Sequence, residues 1–144
     1  MRKLLTLVLL FFCISGYSQQ AYKSAVVGFY NLENLYDTIF HGSYDDVSFT
    51  PGGTKSYTTA VFNDKVAKLA KVIAQIGTDI NPDGPALLGV AEIENKYVLD
   101  TLLNHPLIAA RHYKYVHYDS KDFRGVDVAL VYNPKYFKVE RSRP

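Results

Sequence analysis

The sequence predicts an α/β domain in which strands and helices alternate along the chain. Three observations carry that reading. Two apolar, β-branched runs, at residues 22–31 and 87–93, each end in polar and acidic side chains. Between them Phe62, Val66, Leu69, Ile73 and Ile76 recur at spacings of four, three, four and three, the period of one helix face. Two further strand-like runs, "HYKYVHY" and "VDVALVY", follow near the C-terminus.

Taken in order, the first eighteen residues stand apart from the fold. "MRKLLTLVLLFFCISGYS" places Arg2 and Lys3 before an apolar run from Leu4 to Ile14, then small residues Gly16 and Ser18, the pattern of a cleavable secretory signal. The apolar run is shorter than the roughly 20 residues that span a bilayer. Cleavage is expected before Gln19, giving a secreted or periplasmic protein without stable membrane insertion. The only cysteine, Cys13, lies in that segment. Residues 19–144 therefore contain no disulfide, no thiol nucleophile and no cysteine metal site, and the domain depends on its core.

With 48% hydrophobic and 21% charged residues over 144 positions, the chain has the material for about one globular domain. Removing Arg2 and Lys3 from 16 basic residues leaves 14 against 14 acidic ones, so the processed chain is formally neutral. That argues mildly against a binder of long duplex DNA, which would carry a basic excess. Locally the balance tilts. From Arg111 onward there are eight Lys or Arg and four Asp or Glu, either a solvated face or a phosphate-facing one.

Residues 22–31 read as a buried strand with Gly28 inside it. The segment "DTIFHGSYDDVSFTPGGTKSYT" is rich in Gly, Pro, Ser and Asp and predicts a long loop of the functional kind, a mobile rim. A helix over 59–76 follows, stopped by Gly77. "NPDGPA" turns the chain into the strand "LLGVAEI", Asn95 caps a short helix through about Asn104, and the last two strands flank the polar "DSKDFRG". Asn31 and Glu92 thus sit where apolar strands run out, the place where open α/β sheets gather ligands. An amide and a carboxylate facing one cleft suit a hard cation such as Mg²⁺ holding a phosphate. The plainer alternatives are a turn-forming Asn and a solvated strand-end charge. Histidines 41, 105, 112 and 117 read as surface or packing residues, and the tyrosines as core and rim or a stacking platform for bases.

"FYNLENLYDT", "LLGVAEIEN" and "DFRGVDVALVYNP" resemble, in that order, the first three motif regions of the endonuclease/exonuclease/phosphatase superfamily, which has the deoxyribonuclease I-like fold, and especially its exported bacterial members. The resemblance implies a four-layer α/β sandwich and metal-dependent hydrolysis of phosphate esters. It implies that Asn31 lies beside the metal and the scissile phosphate and that Glu92 is a direct metal ligand, with Glu33 a nearby carboxylate. Arg124 and Asp127 fall in the segment that relatives use near substrate. The implied ion is Mg²⁺, with Mn²⁺ or Ca²⁺ as substitutes. The implied substrate is a phosphate ester of nucleic acid, nucleotide or phospholipid headgroup, and no protein partner is inferred. Where many relatives have Gln before the glutamate, this chain has Ala91. The family's later Asp-x-Asn pair and Ser-Asp-His segment do not occur, so residues 19–144 are expected to be the N-terminal half of a longer domain. An inactive fragment or ligand-binding remnant is the alternative.

Overall fold

In the computed structural model, which describes residues 24–144, the strands form one mixed four-stranded sheet. Strand β1 spans Val26–Leu35, β2 Pro85–Ile93, β3 Lys114–Tyr118 and β4 Asp127–Tyr132; helix α1 spans Thr59–Gln75 and α2 Lys96–Leu103. Short 3-10 turns occur at Asp46–Phe49 and Ala109–Arg111. The sheet order is β1-β2-β4-β3. β1 and β2 are parallel, because helix α1 carries the chain back between them, whereas β4 is antiparallel to both β2 and β3. The expected signal segment lies outside the described residues. Among the described residues, no helix is long and apolar enough to cross a membrane.

Helix α1 begins where the Thr58 hydroxyl accepts from the Val61 N–H at 3.4 Å. It ends before Gly77, whose φ of +65° suits glycine and whose missing Cβ would otherwise meet Val26 Cγ1 at 2.5 Å. Arg111 then closes the helix end, donating to the Ile73 and Ala74 carbonyls at 3.0 and 2.7 Å. Part of the basic C-terminal tilt is therefore structural. So is Lys135, paired with Asp83. Helix α2 starts at Asn95, whose side chain accepts from the Val98 N–H at 3.1 Å, as its sequence position predicts.

Both helices cover one face of the sheet. Phe62, Val66, Leu69 and Ile73 of α1 and Val98, Leu99 and Leu102 of α2 pack with Leu32, Leu88, Val90, Ile93 and Val131. The opposite face carries Val27, Phe29, Val128 and Leu130, which are 68, 71, 63 and 45% exposed. Phe29 lies across Gly89, where a Cβ would come within 2.9 Å of its ring. The long segment between β1 and α1 is more built than a polar rim. Tyr36 stacks on Phe49 with ring centroids 4.1 Å apart, Phe49 meets Tyr57 edge-on at 5.3 Å, and Asp46 accepts from the His41 and Gly42 amides.

Candidate active site at the strand ends

The first strand runs four residues further than its apolar pattern predicts, and the extension is irregular. Asn31 pairs with Ala91, and the next pairing is Leu35 with Ile93, so Leu32, Glu33 and Asn34 are spanned opposite Glu92 alone. Glu33, Asn34 and Glu92 have φ of +53°, +60° and +60°. Left-handed backbone at a non-glycine residue costs on the order of 1–3 kcal/mol and persists only where surrounding structure over-determines it. Here the bulges do work that a regular strand cannot. Val90 points into the core, and in a regular β2 Glu92 would follow it there; the bulge gives that core position to Ile93 instead.

The carboxylate is then held from β1. The Asn34 N–H donates to Glu92 Oε2 at 3.1 Å, while Arg124 Nη1 stands 3.8 Å from Oε1. Asn31 Oδ1 accepts from the Glu33 N–H at 2.7 Å, which leaves the Asn31 NH₂ group as the free end of that side chain. Lys65, reaching up from α1, donates to the Asn34 carbonyl at 3.0 Å and to the Glu33 carbonyl. Burial pulls its pKa down, opposed by the charges of Glu33 and Glu92. Arg124 is aimed by Asp122, to which its Nε and Nη2 donate at 3.1 and 2.8 Å.

A cleft of about 810 Å³ opens beside the start of α2, with Asp37, His41, Glu94, His117, Asp122 and Asp127 in its wall. Two groups of side chains there are close enough to hold a cation: Asp37, His41 and Glu94, and His117, Asp119 and Asp127. His117 Nε2 lies 2.7 Å from Asp127 Oδ2, and Asp127 Oδ1 accepts from the Ser120 N–H at 2.7 Å. His117 Nδ1 is buried without a partner among the described residues. The loop carrying Arg124 is tied to this cleft by Tyr36, whose hydroxyl donates to the Arg124 carbonyl at 2.6 Å.

Of the residues named from sequence, the structure gathers Asn31, Glu33, Glu92 and Arg124 at one rim. It places Asp127 elsewhere: buried at the start of β4, with both oxygens engaged by His117 and Ser120. Sequence reasoning passed over Lys65, which in α1 looks like one more solvated lysine, and read His117 as a surface or packing residue. A signal for His117 existed, because Tyr113, Tyr115 and His117 alternate onto the core face while His112 falls before the strand. Asp37 and Glu94, at the start of a loop and just before a helix, carry no comparable local signal.

A family model described as "Endonuclease/Exonuclease/phosphatase family" matches residues 26–144. Over 74 residues, 51% of this chain, the sequence is 32% identical to a protein described as "16S rRNA endonuclease CdiA" from Enterobacter cloacae subsp. cloacae. The match spans 2% of that protein's length. No solved structure matches.

Proposed function

The chain belongs to the endonuclease/exonuclease/phosphatase family, and from that membership we propose that it supplies the metal-holding strand ends of an exported, metal-dependent phosphoesterase. The observation that carries the reading is Glu92 itself: a carboxylate turned out of the core by a strained bulge and gripped through one oxygen. Such strain is kept where a side chain must be presented rather than buried.

The donor set fits the expected ion. Among the described residues Glu92 Oε1 makes no hydrogen bond, Arg124 Nη1 standing 3.8 Å away, and Glu33 on the adjacent bulge brings a second carboxylate, an oxygen donor. Mg²⁺ takes oxygen ligands and is commonly bound through one or two carboxylates plus substrate phosphate. Glu92 is the ligand, with Glu33 as second carboxylate. When bound, the ion supplies Lewis-acid polarisation of a phosphoryl oxygen. Asn31 turns its NH₂ toward a second phosphate oxygen, because its carbonyl is taken by Glu33. Arg124 is the cation at the rim, its plane held by Asp122 and its Nη1 able to pass from Glu92 to substrate charge. Lys65 keeps the bulge closed from below and offsets the charge of the two glutamates. Asp127 acts through His117, not on substrate.

Among phosphate esters we favour a nucleic-acid phosphodiester, and single-stranded RNA over duplex DNA. The partial likeness to a protein named as an rRNA endonuclease supports RNA, and the formal neutrality of residues 19–144 argues mildly against long duplex DNA. The exposed apolar face bearing Phe29 and Leu130 is the seat of the sandwich's second sheet in a longer protein. The test is hydrolysis of RNA, duplex DNA and bis(p-nitrophenyl) phosphate by the longer protein with and without Mg²⁺, beside Glu92→Gln. Turnover that survives both chelation and Glu92→Gln overturns the reading.

A further inference from the structure

We propose that Asp37, His41 and Glu94 form a second cation site, for a divalent transition ion of the Zn²⁺ or Mn²⁺ class, that pins the long β1–α1 segment to the junction of β2 and α2. One ligand atom from each lies within 4.8 Å of the others, and all three face the cleft beside α2. The site is separate from Glu92 and does not depend on the activity proposed for it.

The ligands are already oriented. Asn95 caps α2 through Oδ1, so its NH₂ is turned back to Asp37 Oδ2 at 3.0 Å and to Glu94 Oε2 at 3.2 Å. The Asp37 N–H also donates to Glu94 Oε2, at 2.8 Å. Outer groups that fix ligand orientation in this way are a regular feature of built metal sites.

Two buried oxygens are left over. Among the described residues, Glu94 Oε1 has no hydrogen-bond partner, and neither does the hydroxyl of Tyr57, a residue only 5% exposed. An orphaned buried acceptor needs an explanation, and an ion is one.

The histidine nitrogen selects the ion, since imidazole suits transition metals and Ca²⁺ or Mg²⁺ prefer oxygen alone. A tetrahedral site with bonds of about 2.0–2.1 Å needs ligand atoms roughly 3.4 Å apart. His41 Nε2 is already 3.1 Å from Asp37 Oδ2, and its half-exposed side chain is free to adjust. With no cysteine beyond Cys13, a metal is the available staple for this segment.

The experiment measures Zn²⁺ binding by titration calorimetry and metal analysis in the Glu92→Gln background, which removes the active-site ligand, with and without His41→Ala. The expected result is a stoichiometric Zn²⁺ site in Glu92→Gln that adding His41→Ala weakens tenfold or more, distinct from any Zn²⁺ at the His117, Asp119 and Asp127 group, which His41→Ala leaves unchanged. Absence of stoichiometric Zn²⁺ in Glu92→Gln, or equal affinity with His41→Ala, overturns the proposal. Because His41 is half-exposed, that substitution leaves the core intact. Mg²⁺-dependent hydrolysis by the unsubstituted protein reports on the active site separately.

Discussion

The Asn34 amide donates to Glu92 Oε2 at 3.1 Å, so a left-handed residue at the end of one strand holds the carboxylate of a left-handed residue at the end of the next. The grip is made by backbone, and only its conformation is demanded of Asn34. Asn34→Gly, which adopts positive φ freely, should therefore keep metal-dependent turnover within a few-fold. Asn34→Val should lose about 1–2 kcal/mol of stability and tenfold or more in turnover, because a β-branched residue resists that backbone. Urea unfolding beside a phosphodiesterase assay separates the two variants; equal behaviour would show the bulge to be incidental.

Removing the charge at position 92 tests the ligand directly. Glu92→Gln keeps the Asn34 contact through its amide oxygen and should preserve the fold while lowering turnover by about 10² or more, the scale on which loss of a preorganised electrostatic group acts. Raising Mg²⁺ should not restore it. Near-normal turnover at saturating Mg²⁺ would remove Glu92 from the site.

Lys65 is expected to act as a positioning residue. Lys65→Met strands the Glu33 and Asn34 carbonyls and should cost about 1–3 kcal/mol, the range for losing a charged hydrogen-bond partner. It should also raise the Mg²⁺ concentration needed for half-maximal turnover. Lys65→Arg should recover part of both. A purely structural lysine would lower the unfolding midpoint and leave the Mg²⁺ dependence unmoved.

Asp127 is expected to act through His117. Asp127→Ala leaves the His117 ring and the Ser120 amide without their acceptor in a buried setting, a loss of about 2–4 kcal/mol. KM for substrate should stay unchanged under conditions where the variant is folded. A selective rise in KM with normal stability would instead put Asp127 against substrate.

The uncovered sheet face has a test in the 144-residue chain. Leu130→Glu and Phe29→Glu should shift it toward smaller species in size-exclusion chromatography, since both side chains project from an apolar face and touch no core. Unchanged elution would mean that the face does not drive association.

Element type and order were legible in the sequence because they follow from local periodicity: the helical stripe from Phe62 to Ile73, the alternation through Tyr115 and His117, and the cap at Asn95 all act within a few residues. The same locality made Asn31 and Glu92 visible as polar ends of apolar runs. Tertiary structure alone decided the rest. β1 continues to Leu35 because the neighbouring strand end offers Leu35 and Asn34 partners, and the three left-handed residues depend on that pairing. Lys65 acquires its role only once α1 is laid under the bulge. Asp37, His41 and Glu94 come together because the Asp37 amide finds a carboxylate 57 positions away. Periodicity reports which face of an element is buried; it carries no information on which groups from different elements meet there, and the chemistry proposed for both sites rests on such meetings.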